Sequence, residues 1–433
     1  MTSEPAAAVD GCYVWTWLPG AGTPVVAGRL EVTGSSPSGP VLSFVYGRSY
    51  LARPSAVSLF SPELPLTPGS VDPMSPVDLR RDPVPLASCL RDAAPDAWGR
   101  RVINLRHGGA PEVPLSELSY LLRSSSDRIG AVDFQESSTS YVPRGGTATR
   151  EQLYSLLVAA DLTDAGEVIP PDLLAAAGHG TSVGGARPKA LLRDGQRHLV
   201  AKFSSSTDDR PVVKAEALGM LLAARAGIEV APVEVVSVRG RDVLLVERFD
   251  RPAPDDGTDP ASRRSLLSGL TILGVSELGA RYASYPDLAD AIASSFAHPG
   301  QALEQLFRRL VLNMAIGNND DHLRNVAALW DGHRLSLAPA YDLTPQPRRT
   351  QVSTQAIGVT PEGQRASQLW VARAAAPAFR LTPPQAEAII DHVVTTVREG
   401  FTDAADRARL TAAERAGLWE REILNPYLFY DTP

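Results

Sequence analysis

Cysteine is almost absent from this sequence: only Cys12 and Cys89 occur among its 433 residues. Two cysteines argue against a disulfide framework and against a zinc site built from thiolates. No uncharged apolar run reaches the roughly 18 residues of a transmembrane helix, so no membrane association is expected. The N-terminal residues MTSEPAAAVD contain neither the basic region nor the apolar core of a signal peptide. These absences favour a cytoplasmic enzyme.

Positive charge is also in deficit. The formal net charge is −7 at pH 7, which is unfavourable for a protein that itself binds nucleic acid. Hydrophobic residues make up 44% and charged residues 21%, a balance typical of a folded, soluble chain rather than a disordered one. The length predicts two or three domains.

Lysine is the rarest charged residue. Lys and Arg total 42, yet only Lys189, Lys202 and Lys214 are lysine, and all three fall within residues 189–214. An ammonium is a compact point charge and a guanidinium a planar fork, so one does not replace the other where geometry matters. The clustering predicts that chemistry is located in this stretch, although three residues can also cluster by chance.

Three parts of the chain differ in composition. Residues 1–145 begin with short β-branched or aromatic runs between Pro/Gly turns and continue with helical patterns. Residues 146–255 follow a polar stretch rich in helix breakers and predict two hairpins, which turn at Asp194-Gly195 and Arg239-Gly240. Residues 256–433 show mostly helical periodicity. We therefore expect an α+β protein of three parts.

A glycine-rich segment precedes the first lysine. Its sequence is Gly180-Thr-Ser182-Val-Gly184-Gly185-Ala186-Arg187-Pro188-Lys189. Backbone N–H groups in such a turn can approach phosphate oxygens closely, and nearby lysines neutralise them. The Walker A pattern GxxxxGK[ST] is absent, and taken alone the segment is more typical of an ordinary surface turn.

Two acidic motifs follow in the order found in protein kinases. Residues 318–325 (NNDDHLRN) come directly after an apolar helical stripe, and Asp320 and Asn325 have the D-x-x-x-x-N spacing of the kinase catalytic loop. In that loop the aspartate accepts the hydroxyl proton and the asparagine binds Mg²⁺. Asp342 follows a short predicted strand, where kinases keep a second metal ligand. The structural alternatives are a helix-terminating turn for Asp320 and a helix N-cap for Asp342.

Two further features agree with a kinase. Glu247, Arg248 and Phe249 end a strand that runs into a loop, as the adenine-binding hinge does in two-lobed kinases. Glu216 lies on the predicted helix after Lys202, where it can form the kinase Lys–Glu ion pair. An amphipathic strand end and a solvated surface carboxylate are the respective alternatives.

Taken together, these motifs resemble the HipA family of serine/threonine kinase toxins. In the second half of the chain the resemblance rests on residues 182–189, 200–203, 247–250, 318–325 and 339–342. In the first half, residues 64–66, 95–100 and 127–131 resemble the N-terminal subdomain of that family. The resemblance implies a bilobed, protein-kinase-like α+β fold with a β-rich N-terminal subdomain and a mostly helical C-terminal lobe.

The resemblance also implies ATP and Mg²⁺ as cofactors and gives roles to individual residues. Asp320 would be the catalytic base, Lys202 the lysine of the α- and β-phosphates, Asn325 and Asp342 the Mg²⁺ ligands, and Ser182 a self-phosphorylated serine. The residues implied to bind the nucleotide are Gly184, Gly185, Ala186, Arg187, Pro188, Lys189, Lys202, Glu247, Arg248, Phe249, His322, Asn325, Tyr341 and Asp342. Arg187-Pro188 departs from the best-known member of the family, which has Gln-Glu there.

The function implied is that of a serine/threonine protein kinase, the toxin of a type II toxin–antitoxin pair, which phosphorylates a cellular protein to arrest growth. The implied partners are that protein substrate and a small helix-turn-helix antitoxin, with DNA contacted only through the antitoxin. One alternative is an inactive kinase fold that acts as a corepressor with the antitoxin, and another is a small-molecule kinase. The presence of Lys202, Asp320, Asn325 and Asp342 argues against the inactive form. The extension over residues 1–145 and Ser182 favour the toxin kinase over the small-molecule kinase.

Overall fold

A computed structural model describes residues 10–36, 39–73, 85–106, 114–167, 169–170, 173, 187–205, 208–252 and 257–431. The chain divides into two compact units. The first comprises Met1–Leu191 and Asp250–Ser265, and the second comprises Leu192–Phe249 and Leu266–Pro433. Among the described helices, none is long and apolar enough to cross a membrane. The three-part division at residues 145 and 255 stays a prediction.

The first unit contains a five-stranded antiparallel sheet in the spatial order β4-β3-β2-β1-β5. The strands are β1 (Gly11–Thr16), β2 (Val25–Ser36), β3 (Gly39–Tyr46), β4 (Ser70–Val71) and β5 (Val132–Gln135). Val14 of β1 lies opposite Phe134 of β5, and Leu30 of β2 lies opposite Phe44 of β3. All four side chains are buried, because residues opposite each other in a sheet share one face. This sheet confirms the β-rich start predicted from the sequence.

Short helices complete the first unit. They are α1 (Arg48–Leu51), α2 (Ser88–Arg91), α3 (Ala97–Arg106), α4 (Glu117–Arg123) and α5 (Leu153–Ala165), with a short strand β6 (Ala148–Thr149) before the last. Arg128 is fully buried beneath them. Its Nε donates to Asp133 Oδ1 at 2.7 Å and its Nη1 donates to the Ala93 carbonyl oxygen at 3.0 Å. A guanidinium fixes several backbone segments at once because its donors point in different directions.

Two charged side chains connect the segment Asp250–Ser265 to the rest of the first unit. Asp250 accepts a hydrogen bond from the Gly130 N–H at 2.8 Å. Arg251 donates to Asp127 Oδ1 and to the Arg128 carbonyl oxygen, each at 2.7 Å. Two motifs that the sequence singled out separately, residues 127–131 and residues 247–250, are thus joined by direct contacts made at Asp250 and the adjoining Arg251.

The second unit contains an antiparallel sheet that includes both predicted hairpins. Strand β7 (Lys189–Asp194) begins in the first unit and ends in the second, and it is followed by β8 (Arg197–Phe203), β9 (Val233–Val238) and β10 (Arg241–Glu247). Strand β10 pairs with β8 on one side and β9 on the other. Arg239 and Gly240 both have positive φ, as a tight hairpin turn requires. The first turn lies at Gly195-Gln196, one residue later than predicted, because Gly195 takes the positive φ and Asp194 ends β7.

The rest of the second unit is mostly helical, as the sequence predicted. Its helices are α6 (Val212–Arg225), α7 (Gly269–Leu273), α8 (Tyr285–Ser295), α9 (Pro299–Ile316), α10 (Leu369–Ala375), α11 (Pro383–Arg407) and α12 (Ala412–Leu418). A small sheet in the order β11-β12-β13 comprises Ser265–Ser268, Ala327–Trp330 and Leu335–Leu337. Helix α9 packs against α8 and α11 and buries Leu303, Leu306 and Leu310.

The end of α9 positions the loop that follows it. Gly317 caps the helix with φ 70°, a left-handed conformation that favours glycine. A Cβ atom at this position would lie 2.5 Å from the Glu422 carbonyl oxygen, so a larger residue would also clash. Residues 318–325 therefore leave the helix along a fixed path.

Candidate active site

Lys202 is the centre of a three-residue ion cluster in the second unit. It lies on β8 opposite Leu244 of β10. Its Nζ is 2.6 Å from Glu216 Oε1 and 2.7 Å from Asp342 Oδ1. Burial favours the neutral amine, but Asp342 and Glu216 outweigh that effect and raise the pKa of Lys202 above its ordinary value. Lys202 is therefore a charged ammonium held between two carboxylates.

A glycine in α6 brings Asp342 close to Glu216. Glu216 and Gly219 are three residues apart and so lie on one face of the helix. A Cβ atom on Gly219 would lie 1.9 Å from the Leu343 carbonyl oxygen. The backbone that carries Asp342 can approach α6 only because residue 219 has no side chain.

The conformation of Asp342 is unusual for a residue with a side chain. Its φ is 59°, in the left-handed region. Backbone strain of this kind is concentrated at functional sites, where the surrounding structure maintains it. The preceding Tyr341 donates through Oη to the Arg324 carbonyl oxygen at 2.6 Å, and its ring lies 5.6 Å from that of Phe249. Tyr341 thus links the end of the β10 segment to residues 318–325.

Asp320 is the accessible carboxylate of the 318–325 loop. Its side chain is 61% exposed, and its Oδ1 lies 4.0 Å from His322 Nε2. Partial burial and the negative charge of Asp342 raise the pKa of Asp320, against the opposing effect of His322. A carboxylate that is accessible and has a raised pKa suits a general base that takes a proton from an acceptor.

Asn325 and Asp342 are the oxygen donors expected to bind Mg²⁺. The Nδ2 of Asn325 donates to the Asp320 carbonyl oxygen at 3.0 Å, which leaves the amide oxygen as the ligand atom. Within the described ranges there is no group of three or more His, Cys, Asp or Glu side chains that would hold a metal alone. Mg²⁺ in phosphoryl-transfer sites is bound by one or two protein oxygens together with substrate phosphates and water. The donor set present here fits that type of binding.

Two backbone N–H groups of the predicted hinge are already hydrogen-bonded within the chain. The N–H of Glu247 donates to the Pro232 carbonyl oxygen at 2.8 Å, and the N–H of Arg248 donates to the His198 carbonyl oxygen at 2.9 Å. The Arg248 residue is buried. An adenine edge would therefore have to contact other groups of this segment, such as Phe249, whose ring lies 5.6 Å from that of Tyr341.

Much of the glycine-rich segment lies outside the described residues, including Ser182, Gly184, Gly185 and Ala186. Arg187 and Pro188 lead into β7, whose first residue is Lys189. Lys189 is 4% exposed, and its Nζ lies 2.6 Å from Asp96 Oδ2 within the first unit. The other oxygen of Asp96 accepts from the Gly99 N–H at 2.7 Å in the first turn of α3. Lys189 is thus paired with a carboxylate, and its predicted phosphate contact stays a prediction.

The Lys189–Asp96 pair predicts a measurable loss of stability. Lys189→Met should lower the free energy of unfolding by about 3 kcal/mol, because it removes one partner of a buried ion pair. Urea unfolding measures the change. Arg197→Met is the matched control, since Arg197 pairs with Asp194 at 2.6 Å but at an exposed position and should lose at most about 1 kcal/mol. Equal losses in the two variants would contradict the anchoring role of Lys189.

Two residues near the site were not predicted from the sequence. Asp321 is buried beside Asp320, and Tyr285 donates to it from α8 at 2.6 Å. The acidic doublet was the one signal available, but the spacing to Asn325 singled out Asp320 alone. Nothing local in the sequence indicates that residues 36 positions apart are in contact.

Comparison with protein families identifies the group to which the chain belongs. The family model described as HipA-like C-terminal domain matches residues 181–401, half of the chain. This chain is a member of the HipA family. The matched range contains Lys202, Glu216, Asp320, Asn325 and Asp342, which are the residues assembled in the site.

Two individual relatives extend the comparison. The candidate kinase Y4mE of Sinorhizobium fredii is 34% identical over 149 residues, which is a third of this chain and a third of the length of that curated relative. HipA of Shewanella oneidensis, solved in complex with HipB and operator DNA, is similar in structure with a TM-score of 0.64 at 16% identity. The match covers 94% of this chain and 96% of that one. The structural likeness confirms the predicted HipA-type α+β fold.

Proposed function

We propose that this HipA-family chain is an ATP- and Mg²⁺-dependent serine/threonine protein kinase, acting in the cytoplasm as the toxin of a type II toxin–antitoxin pair. The observation that carries the proposal is the placement of Lys202 Nζ within 2.7 Å of both Glu216 and Asp342. A Lys–Glu pair next to a metal-binding aspartate is the arrangement that protein kinases need for activity.

Each side chain has a separate task in the proposed reaction. Glu216 holds Lys202 so that its ammonium can neutralise the α- and β-phosphates of ATP. Asn325 and Asp342 would hold Mg²⁺, which neutralises negative charge on the phosphates when it is bound. Asp320 takes the proton of the acceptor hydroxyl as that oxygen bonds to the γ-phosphorus and the bond to the β-phosphate oxygen breaks, releasing ADP.

The proposed partners are a cellular protein substrate and a small helix-turn-helix antitoxin. The solved HipA of Shewanella oneidensis forms a complex with HipB and operator DNA, which supports an antitoxin partner for this chain. The net charge of −7 supports DNA contact through that partner rather than directly.

The experiment that tests this function uses purified protein, [γ-³²P]ATP, Mg²⁺ and a cell lysate. We expect label in protein, and phosphoserine or phosphothreonine after acid hydrolysis. Label confined to small molecules would favour the small-molecule kinase. No label in either fraction would favour the inactive corepressor.

Self-phosphorylation at Ser182 is a further expected result. Phosphate adds about −1.5 to −2 charges at neutral pH, next to the proposed site of the ATP phosphates. Repulsion should then weaken ATP binding about five-fold or more, since one exposed charge pair at short range contributes about 1 kcal/mol or more. Peptide mass mapping after incubation with Mg-ATP detects the modification, and calorimetry of Ser182→Asp measures the affinity. Ser294→Asp, at an exposed serine of α8, is the control, and unchanged affinity in Ser182→Asp would contradict the prediction.

A further inference from the structure

Asp320 and Asp321 are adjacent in the sequence but have opposite environments. The side chain of Asp320 is largely exposed, whereas Asp321 is 2% exposed. Oδ2 of Asp321 accepts from Tyr285 Oη at 2.6 Å and from Gln355 Nε2 at 3.1 Å. Its Oδ1 accepts from the Ala356 N–H at 2.8 Å. Both carboxylate oxygens of Asp321 therefore accept hydrogen bonds from groups in the protein interior.

The partners of Asp321 belong to a polar cluster. Asn313 of α9 donates through Nδ2 to Tyr285 Oη at 3.2 Å, and its Oδ1 accepts from Asn318 Nδ2 at 2.9 Å. Gln355 also donates to the Asn318 carbonyl oxygen at 3.2 Å. This Asp321 cluster, comprising Asp321, Tyr285, Asn313, Asn318 and Gln355, connects the catalytic loop to α8, to α9 and to residues 355–356.

A carboxylate in this position is unfavourable for stability. Every group in the described part of the chain that donates to Asp321 is neutral, and burial raises the pKa of Asp321 in spite of its hydrogen bonds. Asp321 and Arg309 both line a small cavity of about 20 Å³. The Nε of Arg309 has no hydrogen-bond partner among the described residues, so it does not donate to Asp321. A buried charge without a direct ion pair destabilises a fold. A buried carboxyl group whose partners are all neutral therefore points to a role other than stability.

We propose that Asp321 is a positioning residue, which fixes the backbone of the catalytic loop so that Asp320 faces the acceptor. Consecutive residues are covalently joined. Fixing the Asp321 side chain in the protein interior therefore also fixes the direction in which the Asp320 side chain points. The same backbone carries the carbonyl oxygen of Asp320 to which Asn325 is bonded. The inference rests on the proposed kinase function, in which Asp320 is the base.

Asp321→Asn tests the positioning role with little change in size. An asparagine has one acceptor oxygen, so its NH₂ group must face either the Ala356 N–H or the donors at Oδ2. The resulting shift of the loop should lower kcat about 100-fold, the effect of a displacement of about 1 Å at a catalytic group. The KM for ATP should change less than kcat, because Lys202, Glu216 and Asp342 lie outside the Asp321 cluster and only Asn325, among the proposed Mg²⁺ ligands, is bonded to the Asp320 backbone.

Two more variants accompany this one. Tyr285→Phe removes a single donor to Asp321 and should lower kcat about ten-fold, which keeps the test valid if Asp321→Asn does not fold. Glu414→Gln is the matched control. It removes a carboxylate 2.7 Å from Lys214 elsewhere in the second unit and should leave kcat unchanged.

Hydrogen exchange supplies a readout that does not depend on activity. Amides of residues 318–325 should exchange faster in Asp321→Asn than in the wild type and should be unaffected in Glu414→Gln. The proposal would be overturned if both Asp321→Asn and Tyr285→Phe had the kcat of the wild type. It would also be overturned if hydrogen exchange of residues 318–325 were unchanged in Asp321→Asn. If the wild type transfers no phosphate, the proposed function fails, and the exchange result alone decides whether Asp321 holds the loop.

Discussion

Asp320→Ala should slow phosphoryl transfer by about 10²–10⁴-fold, the contribution of a general base, while leaving the affinity for ATP unchanged. Asp320 is the exposed carboxylate of the proposed catalytic loop, whereas Lys202 and Asp342, which are 2.7 Å apart, are the groups proposed to hold the nucleotide. Removal of Asp320 therefore affects the acceptor hydroxyl rather than ATP binding. Transfer from [γ-³²P]ATP measures the rate, and titration calorimetry with Mg-ATP measures the affinity.

The pH dependence of the wild type provides the internal check on that result. The base must be deprotonated to act, so kcat/KM should fall as the pH decreases through the pKa of Asp320. Burial and the nearby Asp342 raise this pKa, with His322 opposing them, so the acid limb should lie above the ordinary aspartate value of about 4. An acid limb at the ordinary value, or full activity in Asp320→Ala, would contradict the assignment of Asp320 as the base.

Lys202→Arg should reduce activity nearly as much as Lys202→Ala, by about 10²–10³-fold for the loss of one correctly placed charged group at the ATP phosphates. The ammonium of Lys202 lies between two carboxylates, 2.6 Å from Glu216 and 2.7 Å from Asp342. A guanidinium is longer and planar, so it cannot occupy the point between the two carboxylates without displacing one of them. Steady-state transfer rates and ATP affinity would both fall.

Lys214→Arg is the control for the effect of arginine at a buried lysine. Lys214 also lies between two carboxylates, at 3.3 Å from Asp242 and 2.7 Å from Glu414, but it is not part of the proposed active site. We expect Lys214→Arg to retain the wild-type rate. Full activity in Lys202→Arg would mean that the clustering of the three lysines is coincidental, and an equal loss in Lys214→Arg would mean that the effect is on the fold.

The sequence predicted best those features that depend on neighbours close along the chain. Arg239-Gly240 marks a hairpin because two adjacent residues need positive φ, and the apolar stripe of α9 repeats at helical spacing. The Lys202–Glu216 pair was predicted because it joins a strand to the next helix, an order that can be recognised without the structure. The motif order singled out Asp342 as a metal ligand, but its contact with Lys202 was not predicted.

Contacts between distant segments were not predicted. Lys189 is 93 residues from Asp96, and no periodicity links a strand residue with the start of a helix in another part of the chain. Gly219 was not singled out in the sequence, and only the structure shows that its lack of a side chain lets the Leu343 backbone approach. A single sequence gives the residue types but not which helices and strands pack against each other. Close backbone approaches and buried polar pairs between distant segments are therefore seen only in the structure.

The measurement that tests the central claim most directly is a comparison of [γ-³²P]ATP with [α-³²P]ATP as the donor, using wild-type protein and Asp320→Ala with the same lysate. An active site in which Lys202 and Asp342 hold the nucleotide and Asp320 activates a hydroxyl transfers only the γ-phosphate. We predict label in protein from the γ-labelled donor with the wild type, little from Asp320→Ala, and none from the α-labelled donor with either. Label from [α-³²P]ATP, or equal label from wild type and Asp320→Ala, would contradict the account.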